Sequence, residues 1–241
     1  MTKDAFPSVA LITAGGEGTR LRPMTYTTPK PLMPIQGKPI IEHVIDEAVH
    51  NGIKRVILSI GYKSDMIIDH FNRSKYRDIV EYCVEKKALG TGGAVRFAEK
   101  TIMAHDPEDF FIINGDQLMR MPMREQYELH KKENALVTIL VRNHDVEGYG
   151  VVLLKGNEIV QFIEKPKPEE APTDLINCGL YLLNRKAFDI MPKQEVFSLE
   201  RDFFTPLAGK KKIYAYHKND MWLTTDDPKR YENAQRNWQS R

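Results

Sequence analysis

The chain has 241 residues, enough for one well-buried α/β domain and short for two. Charge is high but balanced, 35 Lys+Arg against 33 Asp+Glu, so a net +2 excludes a general electrostatic case for nucleic acid as partner. No stretch approaches a membrane span, residues 1–7 lack a signal-peptide pattern, and Cys83 and Cys178 show no C-x-x-C spacing, so a soluble, cytoplasmic chain with no membrane partner is expected.

Through the first half, apolar β-rich runs alternate with helical patterns. Val9–Thr13 reads as a buried strand leading into a glycine-rich turn. A helix is predicted over 39–51, where Ile40, Ile41, Val44, Ile45, Ala48 and Val49 share one face, Pro39 suits the first turn and Gly52 the stop. A strand over 56–60 follows, then a helix capped by Ser64 and ending near Phe71, and a strand over 79–84. Thr91 is expected to cap a helix reaching Lys100, ahead of a strand over 110–113. Such β-α-β alternation argues for a parallel sheet covered on both faces.

The second half changes character. Residues 135–142 alternate as a strand, and 150–154 with 158–163 read as a hairpin around Lys155-Gly156-Asn157. A strand over 180–183 and helices over 198–207 and 228–238 complete the pattern. Without repeats or a long linker, a single domain over 1–241 is expected.

The most informative stretch is Leu11-Ile12-Thr13-Ala14-Gly15-Gly16-Glu17-Gly18-Thr19-Arg20. Glycines directly after a buried strand let backbone N–H groups approach a ligand closely, as phosphate cradles require, although glycines alone suit an ordinary βα turn equally well. Arg20 adds a fixed cationic fork suited to phosphate oxygens. The spacing is neither G-x-x-x-x-G-K-[ST] nor G-x-G-x-x-G, which excludes a Walker A loop and a dinucleotide fingerprint. Lys30, held between Pro29 and Pro31, presents a charge on a backbone of restricted freedom. Asp116 follows a predicted buried strand and so emerges at a carboxyl end, where ligands of open α/β sheets collect, though Asn-Gly-Asp also suits a plain turn. No Ser-His-Asp or Cys-His arrangement is evident, and the seven histidines show no ligand-like spacing.

G-G-x-G-T-R-L-x-P-x-T followed by P-K-P resembles the sugar-1-phosphate nucleotidylyltransferase family. The likeness runs on in order through Gly61-Tyr62, Leu89-Gly90-Thr91-Gly92-Gly93-Ala94, Asn114-Gly115-Asp116, Tyr149-Gly150-Val151-Val152, Glu164-Lys165-Pro166, Asn177-Cys178-Gly179-Leu180-Tyr181 and Ser198-Leu199-Glu200-Arg201-Asp202. Each motif is weak alone; their shared order is specific.

The resemblance implies a Rossmann-like mixed, mostly parallel sheet flanked by helices, with a nucleotide-binding half over about 1–133 and a smaller β-rich sugar-binding half over about 134–241. It implies attack by a sugar 1-phosphate oxygen on the α-phosphorus of an NTP, with pyrophosphate leaving in line. The nucleophile is already an anion, so no general base is needed and catalysis reduces to aligning and neutralising two polyanions. By resemblance, Arg20, Lys30, Asp116 and Lys165 carry the catalysis. Leu11, Ala14, Gly15, Gly16, Gly18, Thr19, Arg20, Glu85, Leu89 and Gly90 hold the nucleotide. Gly150, Glu164, Lys165 and Asn177 hold the sugar phosphate. Mg²⁺ is the implied cofactor, bound by Asp116.

Two departures stand out. Most relatives read W-x-D-x-G-T-P near the C-terminus, whereas this chain reads Trp222-Leu223-Thr224-Thr225-Asp226-Asp227-Pro228, with Thr224 where the second metal aspartate is expected. Some cytidylyltransferases carry that aspartate four residues after the tryptophan, which makes Asp226 the expected ligand and Asp227 the alternative. A left-handed β-helix like that of many relatives is not expected, which removes that mode of assembly but leaves a homo-oligomer compatible. The stretches 58–68 and 89–94 look most like guanylyltransferases for mannose and heptose 1-phosphates. Thymidylyl, uridylyl or cytidylyl transfer to glucose 1-phosphate, an alcohol-phosphate cytidylyltransferase and a non-catalytic nucleotide-sugar sensor are the alternatives.

Overall fold

Alternation along the first strand sets the layering. In the computed structural model, which describes residues 6–240, β1 (Val9–Thr13) sends Ala10 and Ile12 into one apolar layer and Val9 and Leu11 into the other. A strand buried on both faces belongs in the middle of a sheet covered by helices. After it come α1 (Ile40–His50), β2 (Arg55–Ile60), α2 (Ser64–Asn72), β3 (Val80–Val84), α3 (Gly90–Phe97), β4 (Asp109–Asn114) and β5 (Gln117–Met119). α4 (Met123–Lys132), β6 (Val137–Asn143), β7 (Gly150–Lys155), β8 (Glu158–Glu164), β9 (Leu175–Asn184), β10 (Ile213–His217), β11 (Trp222–Thr224) and α5 (Pro228–Asn237) complete the main elements.

The nine-stranded sheet has the order β3-β2-β1-β4-β9-β6-β10-β8-β7. β3, β2, β1 and β4 are mutually parallel. β9 enters antiparallel to β4 and to β6, so the sheet is mixed, with its parallel block in the first half of the chain. The far edge curls back, because β7 pairs with β8 and also touches β9 at Val151–Ile176. β5 and β11 form a separate antiparallel ribbon that carries Trp222–Thr224 back beside the end of β4.

Several expectations are corrected in detail. Ser64 opens α2, but no side chain caps that helix; Lys63 precedes it in a left-handed conformation. Thr91 is not a cap either: it lies within α3, which ends at Phe97, and a separate short α-helix covers Glu99–Met103. Val49 is exposed while the other apolar residues of α1 are buried. α4, β5, β10 and β11 were not anticipated. The buried face of α4 combines Met123 and Tyr127 with Gln126 and His130, and these two polar groups find partners on β6 at Thr138. Such a face does not read as apolar.

Candidate active site

Four parallel strands release their chains at one edge. β1 runs into the glycine loop, β2 into Gly61, β3 into Glu85, and β4 into Asn114-Gly115-Asp116. The loop is tied down by its own backbone: Ala14 N–H donates to Ser59 O at 2.8 Å and Tyr62 N–H to Gly15 O at 3.2 Å. Gly18 takes φ +63°, and a Cβ there would lie 3.0 Å from Thr25 Cγ2 and 3.1 Å from Lys30 Cβ. Glycine thus lets the loop fold directly onto Lys30.

Lys30 is buried, and its Nζ donates to Asp116 Oδ2 at 2.8 Å and to Asp226 Oδ1 at 3.0 Å. Two carboxylates separated by 110 residues of chain (226 − 116) therefore converge on one cation. Burial alone would lower the Lys30 ammonium, but the charges of Asp116 and Asp226 outweigh it and hold the group above the usual lysine range. Burial would likewise raise Asp226, yet Lys30 first, and Arg20 further off, pull it below the usual carboxylate range. Arg20 Nη2 lies 3.7 Å from Asp226 with its side chain 66% exposed, so its fork remains available to a ligand.

Asp227 has a different task. Its Oδ1 accepts the N–H of Arg230 at 2.9 Å, which caps α5. Thr224 lines neither cavity; its hydroxyl lies 3.3 Å from Tyr149 Oη. Among the described residues no group of three or more His, Cys, Asp or Glu side chains could hold an ion unaided. Paired hard oxygens that leave coordination positions to phosphates and water fit Mg²⁺ better than an all-protein cage would.

A cavity of about 420 Å³ opens on the glycine loop, lined by Ala14, Gly15, Gly16, Gly18, Thr19, Arg20, Lys30, Glu85, Leu89, Gly90, Asp116 and Asp226. Ser59 Oγ donates to Glu85 Oε1 at 2.7 Å. Burial raises the Glu85 carboxyl above its usual range, against the bonds from Ser59 and the Leu89 backbone. Leu11 is not brought here: it is fully buried in β1 and lines neither cavity, because the strand's alternation turns it into the core.

A second cavity, about 780 Å³, holds Gly150, Glu164, Lys165 and Asn177. It shares Arg20, Gly90, Thr91, Asn114, Asp116 and Asp226 with the first. A Cβ at position 150 would stand 2.9 Å from Glu164 Oε2 and 2.8 Å from Phe162 Cζ, so glycine there lets Glu164 lie across β7. Lys165 takes φ +51° at the end of β8; its Nζ sits 3.5 Å from Glu164 and its side chain is 63% exposed. Burial and then Glu200 raise the Glu164 carboxyl, with Lys165 opposing them. Asn177 Nδ2 donates to Tyr181 Oη at 2.8 Å and its Oδ1 accepts from Gly179 N–H at 2.9 Å, which leaves one N–H and one lone pair for a ligand.

Two joined cavities, one under a glycine loop with converging cations and one rimmed by acceptors and a lysine, suit two phosphorylated ligands meeting end to end. The profile of the family described as Nucleotidyl transferase matches residues 9–241. The chain belongs to this family.

Among its relatives, the D-glycero-alpha-D-manno-heptose 1-phosphate guanylyltransferase of Aneurinibacillus thermoaerophilus is 33% identical over 231 residues, 95% of this chain and 98% of the relative. A mannose-1-phosphate guanyltransferase of Yarrowia lipolytica is 34% identical over 91% of this chain, which spans 61% of that protein's length. HddC of Yersinia pseudotuberculosis complexed with GMP-PN superposes with a TM-score of 0.78 at 29% identity, over 95% of this chain and 98% of that one.

Within this nucleotidyl transferase, three features of the site escaped the sequence. Arg230 Nη1 lies 3.3 Å from Asp226 Oδ2, and its guanidinium sits 4.9 Å from the centre of the Tyr149 ring. Its only signal was a place one turn into a helix opened by Asp227-Pro228. Gln117 accepts from Trp222 Nε1 at 3.3 Å and lines the second cavity. Glu200, in the Ser198–Asp202 stretch, is buried there as well.

Proposed function

We propose that this nucleotidyl transferase moves a nucleotidyl group from an NTP to a sugar 1-phosphate, releasing pyrophosphate by in-line displacement, with GTP and mannose or heptose 1-phosphate as the favoured pair. The observation that carries this reading is that the two cavities meet at Arg20, Asp116 and Asp226. Triphosphate under the glycine loop and sugar phosphate beside Lys165 would then face each other across the two aspartates.

The first cavity is assigned to nucleotide, with backbone N–H groups of Gly15, Gly16 and Gly18 and the Thr19 and Arg20 side chains toward phosphate. Lys30 neutralises charge at the reacting centre. Glu85, an acceptor at the base end beside Leu89 and Gly90, suits the N1–H and 2-amino edge of guanine. Lys165 is assigned to the incoming phosphate, and Glu164 with Asn177 to sugar hydroxyls. Asp116 and Asp226 would hold Mg²⁺, which when bound supplies neutralisation of phosphate charge. The nucleotide half over about 1–133 and the sugar half over about 134–241 follow this division, with Asp226 returning to the first.

The names of the guanylyltransferase relatives support the choice of base and sugar class. The register of Asp226, four residues after Trp222, favours cytidylyl transfer as the second reading. Crossing GTP, CTP, UTP and dTTP with mannose, heptose and glucose 1-phosphates, in Mg²⁺, separates the two. Fastest pyrophosphate release with GTP is expected; fastest release with CTP and glucose 1-phosphate would replace the favoured pair.

A further inference from the structure

The walls of the two cavities are fastened to each other by one buried carboxylate. Thr91, in α3 on the nucleotide side, donates its hydroxyl to Glu200 Oε2 at 2.6 Å and accepts the N–H of Leu199 at 2.9 Å. Ser198 Oγ reaches the same Glu200 oxygen at 2.8 Å. The other oxygen, Oε1, accepts from Tyr181 Oη at 3.3 Å, and Tyr181 in turn accepts from Asn177 on the sugar side. Donors and acceptors thus run in one direction, from Asn177 through Tyr181 to Glu200, with Thr91 arriving from the opposite wall.

The backbone beside this chain is built for close contact. Phe197 N–H donates to Leu89 O at 3.1 Å, while Gly92 and Gly93 donate to Phe197 O at 3.0 and 3.3 Å. A Cβ at Gly92 would lie 2.2 Å from the Phe197 ring, and one at Gly93 2.3 Å from Glu195 O. Gly92 and Gly93 of the 89–94 motif therefore admit the strap 195–200, while Gly90 lines both cavities.

On the reading proposed above for the two cavities, we propose that Glu200 is a positioning residue: through Thr91 and Tyr181 it sets the nucleotide wall relative to Asn177, so that one ligand can span both cavities. Loss of the Tyr181 hydroxyl cuts the link from Glu200 Oε1 to Asn177, whereas Oε2 keeps Ser198 beside Thr91; an Asn177 set out of place forfeits a hydrogen bond to the spanning ligand, which corresponds to roughly a tenfold change in affinity. A ligand confined to the first cavity does not sense the separation of the walls. One that crosses both does.

The test compares GDP, which fills one cavity, with GDP-mannose, which spans both, by calorimetric titration of the full chain in Mg²⁺. In Tyr181→Phe, whose ring lines neither cavity, and in Glu200→Gln the affinity advantage of GDP-mannose over GDP is expected to fall about tenfold, while GDP itself stays within about threefold of wild type. A purely structural role would weaken both ligands alike and overturn the inference, as would an advantage retained within about twofold in both variants. A wild-type chain with no preference for GDP-mannose would instead overturn the reading of the second cavity, and the inference with it.

Discussion

At Asp226 three cations converge: Lys30 Nζ at 3.0 Å, Arg230 Nη1 at 3.3 Å and Arg20 Nη2 at 3.7 Å. Its neighbour Asp227 is spent on a helix cap. Asp226→Ala is therefore expected to cut turnover by ~10²-fold or more, the scale of losing one electrostatic contact at a reacting centre. Asp227→Ala should cost about 1 kcal/mol of stability, the worth of an N-cap, and leave turnover within a few-fold. Steady-state rates and thermal melts of the two variants check this, and equal losses of rate would contradict it. The lowered pKa of Asp226 also fixes a sign. Its contribution to stability is present above the unfolded carboxylate value of about 3.9 and is lost as pH falls through the lower folded value. Denaturant unfolding of wild type and Asp226→Asn should show a full stability gap at about pH 6 that closes steadily below about pH 4. Motif spacing exposed Lys30 and Asp116 in the sequence, and the register of Asp226 after Trp222 paired it with Asp116; what stayed hidden is the ribbon of β5 and β11 that joins them, whose strands are too short to announce themselves.

Among the elements, β9 does most to align the sugar side. Its register slips between Asn177 and Tyr181, and Gly179 sits in that slip at φ +70°. A Cβ there would meet Gln117 Oε1 at 2.5 Å and Asn114 Nδ2 at 2.6 Å. Left-handed strain and overpacking together predict that Gly179→Ala costs about 2–4 kcal/mol in denaturant unfolding. A cost below about 0.5 kcal/mol would mean that the slip does not depend on glycine. Sequence pattern alone showed only residues 180–183 of this strand, because the slip breaks the alternation at Asn177-Cys178-Gly179. The doubly buried strands β1, β2 and β4 were readable for the opposite reason: unbroken apolar runs flanked by turn residues have few other uses. α4 stayed hidden because Gln126 and His130 occupy its buried face.

Across the whole molecule, four parallel strands deliver the glycine loop, Glu85 and Asp116 to one edge, and the antiparallel strands that follow add a second cavity beside them. This placement follows from topology: carboxyl ends of parallel strands share an edge wherever their crossovers pack on the faces. The motifs marked most of the lining residues, since each lies at such a strand end. The contacts of Thr91 with Glu200 and of Arg230 with Tyr149 were not readable, because neither partner carries a local signal of the other. The most direct measurement of the central claim is transfer itself. NTPs labelled at the α-phosphate are incubated with the chain, Mg²⁺ and each sugar 1-phosphate, and the label is followed by chromatography. The account predicts that label moves into a nucleotide sugar with one pyrophosphate released per transfer, fastest from GTP. Label that stays in the NTP for every pair, although nucleotide binds, would contradict it.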